Sequence, residues 1–378
     1  MLTSDKHTSS SLRYHLPETT HREDDFIAGL DPLQADDQLK RVPQFNNERN
    51  TVALVLLLVD ILPSVTYLST FDAYQANAAM RDIGLLLGSL KRHGVEPVNV
   101  IPQLEEKLNM IAQKTNLPPR DTLLHYTIWN PDGLRRRSYT GTDDELYLID
   151  SVKIGMNPLV RGIYSLRNLH HTPLQSTEFK TTCETTATHF ESMIAGIVLA
   201  RKKVSPAYFA NELRLYFDPI TLNEKIYLGP GAVEMPMFVY DHLLWSSDCQ
   251  DREYITFKET YLPYVHSQMR GIYREFENKP SLLTQVCYTL ETLKTANEKV
   301  DDDNLKALMK LCILLKSFRM PHKKIAEESY KQSEERTKGS GGYSTDILSH
   351  ILMLTTNKVS LLEEGIKKHL LGFYESMN

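Results

Sequence analysis

The sequence is poor in the features that most directly announce a function. Its four cysteines, Cys183, Cys249, Cys287 and Cys312, lie far apart with no CxxC pair. That excludes a zinc ribbon or a disulfide framework and fits a reducing compartment. Basic charge is not in excess: 43 Lys and Arg stand against 48 Asp and Glu, a net charge of -5. There is thus no electrostatic footprint for nucleic acid, and the densest basic cluster, Arg135-Arg136-Arg137, reads as a solvated loop. Long hydrophobic runs are missing too. Val52 to Val59 is strongly apolar but ends at Asp60, far short of the ~20 residues that span a bilayer. Neither a membrane span nor a secretory signal is expected, and a cytoplasmic location follows. Nor does the chain carry HExxH, GxSxG, a GxGxxG after a strand, or an EF-hand loop. The adjacent His170-His171 pair lacks a spaced third ligand and is expected at the surface.

What the chain does have is helical periodicity. Leu282, Leu283, Val286, Cys287, Leu290 and Leu293 fall on one face of a 3.6-residue repeat. Asp301-Asp302-Asp303-Asn304 then supplies a cap and first-turn carboxylates for a helix carrying Leu305, Leu308, Cys312 and Leu315. Val359, Leu362, Ile366 and Leu370 repeat the pattern, and Ser205-Pro206 opens a short helix that must stop near Asp218-Pro219. Strand signals are few; Tyr254-Ile255-Thr256-Phe257 is the best candidate. Three parts are expected: a polar mobile extension (1–25), a small N-terminal helical domain (26–135) and a large helical domain (136–378), with Asn130 to Gly141 as linker.

Several residues on this scaffold could carry chemistry. His322 continues the inward stripe of Leu308, Cys312 and Leu315, follows the expected helix break at Pro321, and has small Ala326 one turn on. A neutral imidazole there suits either an iron ligand or a hydrogen-bonded core histidine. Arg319, three residues earlier, fits a carboxylate partner or a cation at a helix end. Gly339-Ser340-Gly341-Gly342-Tyr343 is a loop whose amides can approach a ligand closely, or a flexible linker. Phe209 and Arg214 are placed to flank a site, with Arg214 able to hold a carboxylate or a surface ion pair. Gly229 to Pro236 is a turn leading into a helix, and Glu234 in it is an acid/base candidate or a first-turn carboxylate.

Together with these segments, Ala79 to Gly84, Gly88 to Gly94, Thr115 to Arg120, Ile128 to Pro131, Ser138 to Gly141, Tyr227 to Pro236 and Phe257 to Val265 resemble one family. It is the monodechloroaminopyrrolnitrin synthase branch of the haem-dependent indoleamine/tryptophan 2,3-dioxygenase superfamily. The resemblance implies an all-α, indoleamine-dioxygenase-like fold with a large C-terminal haem domain and a smaller N-terminal helical domain. It implies haem b (iron protoporphyrin IX) as cofactor, O2 or peroxide as co-substrate, and an indole amino acid as substrate. A reductase or a peroxide source would be the accompanying partner. By resemblance His322 is the proximal iron ligand, Arg319 a propionate partner, and Ala326 part of the cofactor cradle. Arg214, Phe209, Ser340, Gly341, Gly342 and Tyr343 fall at substrate positions, and Ser151 and Tyr147 at the distal catalytic ones. Tyr343 stands where the dioxygenases carry threonine, which favours the pyrrolnitrin branch. The implied reaction is an oxidative decarboxylation and ring rearrangement of 7-chlorotryptophan, or a tryptophan analogue, to an aminophenylpyrrole. Indole 2,3-dioxygenation to an N-formylkynurenine-type product and a non-catalytic haem sensor are the alternatives.

Overall fold

The computed structural model describes residues 19–331 and 346–376. The chain is all-α apart from one small hairpin. The helices that matter here are α1 (Thr19–Gly29), α2 (Ala73–Arg92), α3 (Asp143–Leu169), α4 (Thr177–Lys203), α5 (Pro206–Asn211), α6 (Met237–Asp241), α7 (Arg252–Tyr261), α8 (Leu282–Thr295), α9 (Asp302–Lys331) and α10 (Asp346–Ser376). Among the described residues no helix is long and apolar enough to cross a membrane.

Local sequence explains most helix starts. Ser205 and Ser281 cap α5 and α8 by accepting from Tyr208 N and Thr284 N, and Pro206 occupies the first turn of α5. Asp301 Oδ1 accepts from Asp303 N at 2.9 Å at the start of α9. The short helix ends at Asn211, and a 3-10 turn over Leu213–Phe217 carries the chain to Asp218. The hairpin pairs β1 (Ile220–Leu222) with β2 (Lys225–Tyr227) in antiparallel register, Ile220 opposite Tyr227. Its two-residue turn, Asn223-Glu224, has φ of 46° and 62°, the left-handed pair that two-residue hairpins favour. This hairpin was not foreseen.

Three hydrophobic clusters hold the described residues together: a small one around Ile27, Leu123 and Trp129, and two larger ones. The larger of these two joins α3, α4, α6 to α10 and the segments between them. The smaller of the two surrounds α2, which is buried continuously from Ala76 to Leu90. Tyr139, Ile149, Tyr216, Phe217 and Ile220 belong to this smaller cluster, so the clusters do not divide at residue 135. A helix enclosed on all sides must satisfy its polar residues internally. Arg81 donates to Asp82 Oδ1 (2.8 Å) and to the carbonyls of Ile27, Leu30 and Trp129. Arg137 bridges Asp82 and Asp36.

That network corrects the expected solvated loop at Arg135-Arg136-Arg137. Arg137 is only 4% exposed, and Arg135 also pairs with Asp36. Nor is Asn130 to Gly141 a free linker: Asn130 Nδ2 donates to the carbonyls of Tyr126 and Arg137, and Tyr139 is buried. Residues 19–25 of the expected extension begin α1, where Asp24 Oδ1 accepts from Trp129 Nε1 at 2.6 Å; residues 1–18 lie outside the described region. The expected strand Tyr254–Phe257 is instead helical, within α7, because Tyr254 and Phe257 are wanted on one buried helical face.

Candidate cofactor site

The site is built on α9. Leu308, Leu311, Cys312 and Leu315 are fully buried along one face, and that stripe runs on to Arg319, 6% exposed, and to half-buried His322 and Ala326. Pro321 does not break the helix, correcting the expected interruption; α9 is continuous to Lys331. What Pro321 does remove is the amide hydrogen that would otherwise bond the Ser317 carbonyl. The His322 ring stacks on Phe318 with centroids 5.5 Å apart and planes 18° from parallel. Burial, reinforced by the neighbouring Arg319 charge, pushes the His322 pKa down to about 4. Its imidazole is therefore neutral at physiological pH, the form in which histidine binds a metal.

Arg319 is anchored from below. Its guanidinium donates to Asp241 Oδ2 at the end of α6. The same carboxylate, 1% exposed, accepts from Tyr254 Oη of α7 at 2.7 Å and from Trp245 Nε1 at 3.0 Å. Although burial disfavours the charge, Asp241 outweighs it and keeps Arg319 more firmly protonated than usual. The Arg319 Nε hydrogen is buried without a partner.

Asp241 runs directly into a π-helical turn, His242–Ser246. That turn places His242 beside Lys258 of α7, with Nδ1 and Nζ 3.3 Å apart, while Lys258 also donates to the Ser246 carbonyl at 2.9 Å. Burial lowers Lys258 to about 8 and His242 to about 3. Sequence reasoning missed Asp241, His242 and Lys258. The available signal was a lone acid inside the otherwise apolar run Met237 to Trp245.

A cavity of about 330 Å³ lies between α4 and α9. Ile194, Ile197, Val198, Phe318 and Pro321 make it apolar, and Arg201 and Lys202 add cations. These residues could hold a haem group: His322, outside the cavity lining but stacked on Phe318 within it, would offer a neutral donor nitrogen, and Arg201 and Lys202 would offer cations to carboxylates. Among the described residues no three His, Cys, Asp or Glu side chains converge to hold a metal ion.

The remaining expected site residues are placed as follows. α5 packs on α9, with Phe209 half-buried against the cluster around α2; Arg214, on the 3-10 turn that packs on α2, is 3% exposed. Ser151 and Tyr147 sit on α3. Ser151 Oγ donates to the Leu148 carbonyl at 2.7 Å, and Lys203 Nζ lies 5.2 Å from the Tyr147 ring centre. Ser151 meets α4 at Gly196, where an added Cβ would stand 2.3 Å from the Ser151 carbonyl oxygen. That is a different face of α4 from the one lining the cavity. Ser340, Gly341, Gly342 and Tyr343 lie outside the described residues.

Two other sequence candidates change character. His170 is no surface residue: its Nε2 bonds the Leu243 carbonyl at 2.9 Å, its Nδ1 meets Gln285 Nε2 at 2.9 Å, and burial lowers it to about 4. Glu234 is 2% exposed, its Oε2 accepts from Leu123 N at 2.6 Å, and burial raises its pKa well above the usual carboxyl range. Three glycines of the resembling segments, Gly84, Gly88 and Gly229, stand where another chain segment approaches closely. A Cβ on Gly84 would meet Asp121 at 2.2 Å, and one on Gly229 would meet the Phe217 carbonyl oxygen at 2.7 Å.

Fold and site thus define an all-helical protein that sets a neutral histidine and a buried, carboxylate-anchored arginine on one turn of one helix. The family model described as monodechloroaminopyrrolnitrin synthase PrnB matches residues 58–369, and the chain belongs to that family. It is accordingly a member of an enzyme family of pyrrolnitrin biosynthesis.

Proposed function

We propose that the protein binds haem b through His322 and converts 7-chlorotryptophan, or a close tryptophan analogue, to an aminophenylpyrrole. The observation that carries this reading is the neutral imidazole of His322 beside the Asp241-anchored Arg319, on a helix that borders an apolar cavity. The net change loses carbon dioxide and two hydrogens, a two-electron oxidation with O2 or peroxide as the acceptor. Haem, when bound, supplies the redox chemistry; the protein supplies position and surroundings.

Each residue then has a physical task. His322 donates a neutral nitrogen, held in place by the Phe318 stack. Asp241 fixes Arg319, whose spare donor is available to a propionate. Ile194, Ile197 and Val198 give the site an apolar wall. Arg214, whose planar fork suits a carboxylate, orients the amino-acid end of the substrate, with Phe209 beside the ring. By family resemblance Ser340, Gly341, Gly342 and Tyr343 belong to substrate binding, and Ser151 and Tyr147 to the distal side.

The test is product analysis. The purified enzyme, reconstituted with haem and given tryptophan or 7-chlorotryptophan with O2 or peroxide, should yield a product lighter by CO2 and two hydrogens. Addition of two oxygen atoms would instead identify indole dioxygenation, and haem binding without turnover of either indole would identify a sensor.

A further inference from the structure

A second cavity, of about 300 Å³, lies among α1, α2, α3 and the segment around His266. It meets Met156, Asn157 and Val160 of α3, whereas Ser151 and Gly155 of the same helix face α4. It is therefore separate from the cavity beside α9. Its wall has two characters. Ile27, Ile128, Met156 and Val160 are apolar; Glu23, Asp24, Asn77 and Glu234 bring oxygen acceptors.

Some of these oxygens have partners and two have none. Asp24 Oδ1 takes the Trp129 Nε1 hydrogen at 2.6 Å, Glu23 Oε1 the Tyr74 hydroxyl at 3.3 Å, and Glu234 Oε2 the Leu123 amide. Glu234 Oε1 and Asn77 Oδ1 are buried with no partner, on side chains 2% and 8% exposed. Among the described lining residues Arg161 is the only Lys or Arg, and it is exposed. An unmatched buried acceptor such as Asn77 Oδ1 costs free energy until a donor arrives. At about 30 Å³ per water, the space equals roughly ten waters, enough for an amine of about that many heavy atoms.

We propose that this cavity is a second binding site, for a small organic ammonium compound whose apolar body rests on Ile27, Met156 and Val160 and whose cationic end faces Glu23, Asp24 and Asn77. The proposal does not depend on haem or on the reaction at α9.

Calorimetric titration of the full-length protein with 2-phenylethylamine tests it. Saturable one-to-one binding is expected, at least tenfold tighter than for 2-phenylethanol. Glu23→Gln/Asp24→Asn should weaken it at least tenfold, and Val160→Trp should abolish it by filling the space. Arg161→Gln, at an exposed position that leaves folding intact, should tighten it, while His322→Ala should leave it unchanged. No saturable amine binding, equal affinity for the alcohol, unchanged or weaker binding by Arg161→Gln, or loss on His322→Ala would overturn the assignment.

Discussion

Asp241→Asn removes one charge while keeping the shape of the side chain, and its cost follows from what surrounds it. The partner guanidinium of Arg319 and the Asp241 carboxylate have side-chain exposures of 7% and 2%. Tyr254 bonds Asp241 Oδ2 and Trp245 bonds Oδ1, so the amide keeps one of these hydrogen bonds and loses the other together with the countercharge. Breaking one side of a buried pair leaves an uncompensated ion and costs about 3–5 kcal/mol. Guanidinium chloride unfolding should register that loss as a lower midpoint with an unchanged slope. Asp241→Leu/Arg319→Met, which leaves no buried charge behind, should recover most of it. A loss below ~1 kcal/mol in Asp241→Asn, the range of a solvated surface pair, would refute the reasoning by showing that water reaches the guanidinium.

Three further outcomes are expected. Gly196→Ala, whose new methyl would press on the Ser151 carbonyl, should destabilise by about 1–3 kcal/mol, whereas Gly271→Ala, a helical position with nothing within 4 Å of the added carbon, should be neutral or stabilising. Denaturation midpoints compare the two, and equal effects would contradict the close α3–α4 crossing. Burial opposes ionisation of Asp82, but Arg81 and Arg137 win and hold its pKa below the usual value. The stabilisation is thus complete above the ordinary carboxylate range and lost as pH falls through the lower folded value; stability should drop on acidification below pH ~4, and Asp82→Asn should flatten that limb. Arg214→Leu should raise the tryptophan concentration needed in spectral titrations while haem content stays the same; an identical titration places the carboxylate elsewhere.

The parts of the molecule legible in the sequence are those decided locally. Ser205, Ser281 and Asp301 announce their helices because a cap bonds an amide two or three residues away. The stripe from Leu308 to Leu315 is readable because a helix repeats its buried face at a fixed interval. Tyr254–Phe257 misled because aromatic and β-branched residues favour strands only where a sheet exists to receive them, and here Tyr254 is taken up by Asp241 from α6. Arg137 and His170 looked solvated because their partners, Asp82 and Gln285, are 55 and 115 residues away. For the same reason Arg319 could be placed on the inward face but its holder, Asp241, could not be found: 78 positions separate them, and no periodicity spans that distance. The Pro321 break failed because side-chain packing on both flanks of α9 carries the helix through the missing hydrogen bond.

The central claim is that His322 binds the iron of haem, and reconstitution with iron protoporphyrin IX tests it most directly. Absorption titration of the wild-type protein should saturate at one haem per chain with a sharp Soret band. His322→Ala should lose that binding and regain it when free imidazole is added to fill the vacated axial position. A Soret band and stoichiometry unchanged by His322→Ala, with no response to imidazole, would contradict the account.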